Sequence, residues 1–180
     1  MNEKTEKLSV VPALAVRPGC PSDVGRVAIS GGSVCFIIEN HDAVTGLALI
    51  AHARDKWIMR EYVGSPLCVL MGKLEFHPDM SGPINMVAPD FYSSDLFIGG
   101  GDPHLIVQQP TDDNPHAFAM LNAKTSVLSS QIPTALVGFK YWVLGVRNAD
   151  SSLTTLLSID DEQVGGANTR ALLRGALHGR

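Results

Sequence analysis

Apolar residues along this chain occur in short runs that are separated by Gly, Pro, Asn, Asp and Ser. Short apolar runs bounded by turn-forming residues are typical of strands, and a spacing of roughly ten residues is typical of all-β folds. The strands predicted in this way are 8–16, 26–29, 33–39, 67–76, 84–87, 95–98, 104–108, 117–121, 136–147 and 152–159. The pattern predicts a mainly β fold, which we interpret as a two-sheet antiparallel sandwich of the jelly-roll type.

Two of these predicted strands are apolar on both faces. Residues 33–39 contain five consecutive apolar side chains, from Val34 to Ile38, and residues 136–146 carry apolar side chains at both odd and even positions. A strand that buries only one face alternates between apolar and polar residues, whereas a strand covered on both sides does not. We therefore expect residues 33–39 to be central in a sheet and residues 136–146 to be covered on both sides.

Residues 42–63 fit more than one structure. The apolar side chains at positions 44, 47, 48 and 51 share one helical face, which favours a helix. Asp42 could cap the start of that helix. Gly46 disfavours that helix, and the aromatic and β-branched residues after position 56 favour a strand. We expect an inserted helix at about 42–54, followed by extended chain to Val63. A helix reaching residue 62 would instead form a βαβ unit with 33–39 and 67–71, as in an α/β enzyme.

The chain is long enough for one domain to build its core without disulfides or a metal. Residues 1–7 are polar with balanced charge, and we expect them to be a mobile arm ahead of a single domain at 8–164. The arm does not lead into the apolar segment of a signal peptide, and no apolar run approaches the ~18 residues of a membrane span. We therefore expect no secretion through a signal peptide and no membrane partner.

Charged residues are scarce in this chain. Asp, Glu, Lys and Arg make up 18% of the residues and hydrophobic residues 45%, whereas an average soluble domain is about 25% charged. The formal net charge of −4 excludes a globally basic nucleic-acid-binding protein. So much apolar sequence with so little charge predicts burial twice, once in the core and once against copies of the same chain. We therefore expect a homo-oligomer.

No residue pattern carries a catalytic or cofactor-binding signature. The histidines at positions 41, 52, 77, 104, 116 and 178 include no pair at the spacing of a preformed metal site. The cysteines at positions 20, 35 and 68 are odd in number and lack C-x-x-C spacing, and no serine lies in a nucleophile elbow. We expect neither an enzyme nor a cofactor; Asp112 and Asp113 could at most hold Ca²⁺ at a subunit contact.

The first predicted strand, 8–16, contains a proline. Pro12 has no backbone N–H to donate, which suits an edge strand or an arm that lies on a neighbouring molecule. We expect this strand to make contacts between subunits. The residues assigned to that arm are Val10, Val11, Pro12, Leu14 and Val16.

The C-terminal segment, 165–180, is predicted to be an amphipathic basic helix. Arg170 and Arg174 lie four residues apart on one face, and no acidic residue follows Glu162. An ordinary surface helix is one interpretation. The other is that Arg170, Arg174 and Arg180 contact packaged nucleic acid or an acidic surface of a neighbouring subunit, because many copies would multiply a weak contact.

A self-assembling structural subunit is the function class that fits these features best, and the most specific hypothesis is the capsid protein of a small virus or phage. Such a protein would reside in the virion. The alternative is a β-sandwich ligand-binding protein or enzyme, whose pocket would be formed by the 99–116 loops around His104 and His116. That protein would be cytoplasmic. The oligomeric state separates the two hypotheses.

Overall fold

The computed structural model describes residues 14–54, 56–81, 84–85, 95–109, 113–114, 117–133 and 135–159. Within these residues the chain forms fifteen strands and one 3₁₀ turn, Pro21–Asp23. The strands are β1 (Leu14–Pro18), β2 (Val27–Ser30), β3 (Ser33–Glu39), β4 (Leu47–Ala53), β5 (Lys56–Glu61), β6 (Pro66–Leu70), β7 (Lys73–Pro78), β8 (Ile84–Asn85), β9 (Leu96–Gly99), β10 (Asp102–Gln108), β11 (Phe118–Asn122), β12 (Val127–Ser129), β13 (Val137–Phe139), β14 (Trp142–Arg147) and β15 (Leu153–Ile159). The described residues contain no helix that could span a membrane.

The strands form two sheets, so the fold is mainly β as predicted. A twelve-stranded sheet has the order β1-β6-β2-β3-β4-β5-β10-β9-β13-β8 along its main path. Its other two strands are β11, which pairs with β10, and β12, which pairs with β11. A three-stranded sheet has the order β15-β14-β7. Neighbouring strands are antiparallel except β5 and β10, which are parallel. This strand order does not establish the jelly-roll connectivity predicted from the sequence.

Strands β3 and β4 are buried on both faces. Even-numbered side chains of β3, such as Phe36, point into a core that the two sheets share, which we call the inter-sheet core. Odd-numbered side chains of β3, such as Ile37, point into a second core on the opposite face. The parity is the same in β4, where Ile50 faces the inter-sheet core and Leu49 faces the second core, because Ile50 pairs with Phe36 and Leu49 with Ile37. The prediction that 33–39 is a central strand is confirmed, with β3 having those bounds.

Four aromatic rings form the centre of the inter-sheet core. Phe36 and Trp57 from the larger sheet lie against Phe76 and Trp142 from the smaller one. The ring centroids are 5.4 Å apart for Phe36 and Trp57, 6.2 Å for Phe36 and Phe76, and 6.0 Å for Phe76 and Trp142. Aromatic pairs at such separations add about 0.5–1.5 kcal/mol beyond their burial. This cluster is what joins the two sheets.

The larger sheet curls strongly between β6 and β5. From Glu61 to Pro66 the chain takes five Cα steps, which reach at most ~18 Å. In a flat sheet these strands would lie four strand spacings apart, or ~19 Å, before any displacement along the strands is added. The connection also buries Tyr62 in the second core. The sheet therefore curves around the second core, and this connection closes the concave side.

Two predicted strands prove to be pairs of strands in different sheets. The predicted strand 67–76 is β6 and β7, and the chain turns between them at Met71 and Gly72. The predicted strand 136–147 is β13 and β14, separated by Lys140 and Tyr141. In both places the apolar pattern continues through the corner, so the pattern does not reveal that the chain passes from one sheet to the other.

The helix predicted at 42–54 is wrong. Residues 47–53 are β4, which pairs in register with both β3 and β5. Asp42 does not cap a helix, because its own N–H donates to the side chain of Asn40 in a turn. Gly46 closes that turn with a φ of 70°, in the left-handed region that favours glycine. Because β4 is buried on both faces, its residues do not alternate between apolar and polar, and its apolar positions also fit one face of a helix.

The βαβ unit of the α/β interpretation is also wrong, since β3, β4 and β5 are successive antiparallel neighbours in one sheet. The extended chain predicted after residue 54 is confirmed as β5. Strand β12 was not predicted. The C-terminal helix predicted at 165–180 and the arm predicted at 1–7 lie outside the described residues.

The corner at Gly72 allows a test of how tightly the two sheets meet. A Cβ at this position would lie 2.1 Å from Cγ1 of Val146 in β14. We expect Gly72→Ala to lower the free energy of unfolding by about 2–3 kcal/mol, because buried Val146 must shift. Gly64→Ala is the matched control, since its φ is 88° but no atom lies near its Cβ position; it should cost about 1 kcal/mol. Urea unfolding measures both, and an equal or smaller loss at Gly72 would contradict this packing.

Candidate subunit interface

Strand β1 forms one edge of the larger sheet. It pairs with β6 along all five of its residues, and no other strand of the described residues pairs with it. One face of this pair is apolar throughout. The cross-strand pairs on that face include Val16 with Cys68 and Pro18 with Pro66.

Most of this face is open to solvent. Val16 is 73% exposed, Pro18 and Pro66 are exposed, and Cys68 is half-buried. We call these four residues the β1–β6 face. Exposed sheet edges are commonly protected by charged side chains that prevent pairing with other molecules. The β1–β6 face carries no charge, so it is suited to contact another protein surface.

The opposite side of β1 fixes the strand to the domain. The two terminal guanidinium nitrogens of Arg17, Nη1 and Nη2, each donate to the Asp23 carboxylate at 2.6 Å. The Cys20 N–H also donates to this carboxylate, at 2.9 Å. Asp23 is 1% exposed. The Arg17 guanidinium holds the pKa of Asp23 well below its usual range, and the carboxylate raises the pKa of Arg17. The 3₁₀ turn places Asp23 there, so β1 is held by a buried, charge-assisted contact.

A second contact secures the same loop. The N–H of Gly19 donates to the Tyr62 hydroxyl at 2.7 Å, and that hydroxyl donates to the carbonyl of Ser65. Thr45 donates its hydroxyl to the Tyr62 carbonyl at 2.7 Å. Tyr62 therefore joins the loop after β1 to the connection that closes the second core. The β1–β6 face is consequently presented by a rigid part of the fold.

The arm and tail residues predicted from the sequence are only partly described. Leu14 and Val16 lie in β1, where Val16 points outward as an interface residue should. Val10, Val11 and Pro12 lie outside the described residues, and so do Arg170, Arg174 and Arg180. Their predicted contacts with neighbouring subunits and nucleic acid remain predictions.

Two of the cysteines, Cys35 and Cys68, have thiols whose pKa is raised by burial. Cys35 is buried in the second core, and burial raises the pKa of its thiol to about 11. Burial also raises the pKa of Cys68. Because the thiolate is the reactive form, both thiols are poor nucleophiles at neutral pH. Ser30 and Ser33 pair with each other where the β2–β3 hairpin turns.

Metal ligands are not clustered in the part of the chain that the structure describes, where no three His, Cys, Asp or Glu residues could hold one ion. Asp113 is exposed, while Asp112 lies outside the described residues. The two remaining ionic contacts of note join strands or turns at the surface: Arg147 with Glu75, and Lys124 with Asp102. They lower the pKa of each carboxylate and stabilise local structure.

The pocket predicted from the 99–116 loops is located differently in the structure. His104 lies in β10 and is 7% exposed, and it lines a groove of about 440 Å³. The other walls come from β11, β12 and the segment that follows them. His116 lies outside the described residues. Sequence reasoning therefore found one histidine of this groove and missed the residues that the antiparallel pairing of β10 and β11 brings to it.

The Arg17–Asp23 contact predicts how stability depends on pH. Because the pKa of Asp23 is lowered in the folded state, its stabilisation is complete above the unfolded pKa of about 3.9 and is lost as pH falls below it. We expect Asp23→Asn to lower the free energy of unfolding by about 2 kcal/mol at pH 7. Asp113→Asn, at an exposed position, is the control and should change it little.

Chemical denaturation at several pH values measures this effect. The difference between the wild type and Asp23→Asn should narrow as the pH falls from about 5 towards 2, because the protonated carboxyl resembles the amide. A difference that stays constant with pH, or that matches the Asp113→Asn control at pH 7, would show that Asp23 does not hold β1.

Comparison of the chain with protein-family models, with curated proteins and with solved structures finds no match to any of them. Function therefore has to be argued from the surfaces and grooves of the fold, since a fold class alone does not determine what a protein does. An uncharged sheet edge held at β1 and a groove beside His104 are two surfaces that can contact other molecules.

Proposed function

We propose that this chain is a self-assembling structural subunit, and most specifically the capsid protein of a small virus or phage. The observation that carries the proposal is the β1–β6 face. It is apolar, carries no charge, lies on an edge strand and includes a valine that is 73% exposed. A face of this kind is stabilised when another molecule covers it.

The proposed occupant of the face is a second copy of the chain. Obligate interfaces between copies are more hydrophobic than transient ones and commonly bury 2,000 Å² or more, roughly, in total. The low charge content of this sequence, 18%, fits a surface that is largely covered in an assembly. A jelly-roll sandwich remains our hypothesis for the architecture, and the core shared by the two sheets supports the sandwich part of it.

A closed shell needs more than one contact per subunit, because each copy must meet several neighbours. Other exposed apolar side chains lie away from β1. They are Val44, Val63, Met71, Met80 and Val127. In this proposal the β1–β6 face forms one contact, and Val63, Met71 and Met80, which lie in connections and a turn, contribute to others. Val44 and Val127 are not assigned to a contact between subunits.

Exchanging one valine tests the role of the β1–β6 face. We expect Val16→Glu to shift the protein towards monomers, because an interface cannot readily bury an unpaired carboxylate. Val44→Glu makes the same exchange in the turn between β3 and β4, where Val44 is fully exposed. Size-exclusion chromatography with light scattering measures the mass of each variant, and circular dichroism checks that both are folded.

The two variants should differ in mass if the proposal holds. Both should be folded, because neither valine belongs to a core. Dissociation of Val16→Glu alone supports the β1–β6 face as a contact between copies. Equal masses for Val16→Glu and the wild type would remove this face from the proposal, and a monomeric wild type at low micromolar concentration would overturn self-assembly itself.

Packaged nucleic acid is the proposed partner of the C-terminal arginines. We expect Arg170→Gln combined with Arg174→Gln to lower the nucleic-acid content of assembled particles, or their stability, most visibly at low salt. Exposed charges are screened over about 8 Å at physiological ionic strength, so salt should weaken the wild-type contact and narrow the difference between the wild type and the variant. The ratio of absorbance at 260 nm and 280 nm and particle yield across a salt series measure it. Particles unchanged in contents, yield and salt sensitivity would leave this segment an ordinary surface helix.

A further inference from the structure

We infer that the groove beside His104 is a binding site for a small uncharged molecule with an apolar ring and one N–H or O–H donor. The groove lies on the outer face of β10, β11 and β12, opposite the inter-sheet core. Its volume of about 440 Å³ falls within the range of roughly 300–1,000 Å³ that small-molecule sites occupy. It does not include the β1–β6 face, so the inference is independent of self-assembly.

His104 supplies the hydrogen-bond acceptor of the site. Its Nδ1 lies 2.9 Å from the backbone carbonyl oxygen of Asp102. A carbonyl oxygen can only accept, so Nδ1 carries the proton in the neutral ring and Nε2 is left as an acceptor. No described residue donates a hydrogen bond to Nε2. His104 as a residue is 7% exposed, but Nε2 is not one of the enclosed polar atoms that lack a partner, so a ligand in the groove can reach this edge of the ring and donate to it.

Two of the neighbouring polar side chains, Asn122 and Ser129, are already engaged, whereas Thr125 and Gln131 are exposed to water at the rim. The Asn122 side-chain oxygen accepts from the N–H groups of Lys124 and Thr125, and its amide donates to the Asp102 carboxylate at 3.2 Å. The Ser129 hydroxyl oxygen accepts from the Gln131 N–H at 3.0 Å. These bonds hold the rim of the groove in place. His104 is therefore the group in the groove floor that is best placed to select a ligand.

The rest of the lining selects for an apolar and uncharged ligand. Met120, Val127, Ile132 and Pro133 contribute apolar surface, and Val127 is 57% exposed although it is a large apolar residue. Among the residues that the structure describes, no Asp, Glu, Lys or Arg lines the groove. A charged ligand would lose its hydration without gaining a partner of opposite charge. An aromatic ring with a single donor satisfies both the apolar walls and the acceptor.

Indole and 1-methylindole provide a matched pair of probes, because they differ at the one nitrogen that can donate. We expect indole to bind the wild-type protein in the millimolar range and about three- to tenfold more tightly than 1-methylindole, as one net hydrogen bond predicts. His104→Phe keeps the ring volume but removes the acceptor, so it should bind both probes equally. His77→Phe changes an exposed histidine outside the groove and should keep the preference for indole.

Titrations followed by NMR measure these affinities, with thermal unfolding to confirm that each variant is folded. The Nε2 resonance of His104 in the wild type is the second readout, and it should shift with indole more than with 1-methylindole. Three results would each overturn the inference. They are equal affinities for the two probes in the wild type, no binding of indole at about 10 mM, and a preference for indole over 1-methylindole that persists in His104→Phe. None of these results depends on the oligomeric state, so the titrations do not test self-assembly.

Discussion

Burial of both faces of β3 and β4 is the constraint on which the rest of the fold depends. One face requires a cover and receives the three-stranded sheet through Trp142 and Phe76. The other face requires a cover as well, and the larger sheet supplies it by curling until Tyr62 closes the second core. Two cores on one central pair of strands explain why the chain contains so much apolar sequence.

The same constraint determines what is left for other molecules. Once the central strands are covered, exposed apolar surface remains at the periphery, and the β1–β6 face is the part of it that is held most firmly. Arg17 and Asp23 anchor β1 from its other side, so Val16 is presented by a rigid strand. A rigid apolar edge loses little entropy on association, which favours assembly. The groove at His104 lies on a different face, so ligand binding and assembly need not compete.

Sequence reasoning succeeded where the pattern is local and failed where contacts are distant. The five apolar residues of β3 predict a central strand with its observed bounds, because burial on both sides requires consecutive apolar residues. The helix expected at 42–54 was wrong because β4, buried on both faces, has no alternation to identify it. The corner at Gly72 is invisible in the pattern, since only contact with Val146 in a distant strand reveals it. Similarly, His104 was found as a candidate but its groove depends on the pairing of β10 with β11.

Self-assembly is the central claim, and sedimentation velocity of the unmodified chain over a dilution series tests it most directly. One chain has a mass of 19.2 kDa. If copies cover one another's apolar edges, the protein should sediment as a multi-subunit species at low micromolar concentration, with no stable monomer before unfolding begins. A single folded species of 19.2 kDa throughout the series would contradict the claim, because the β1–β6 face would then be tolerated in water.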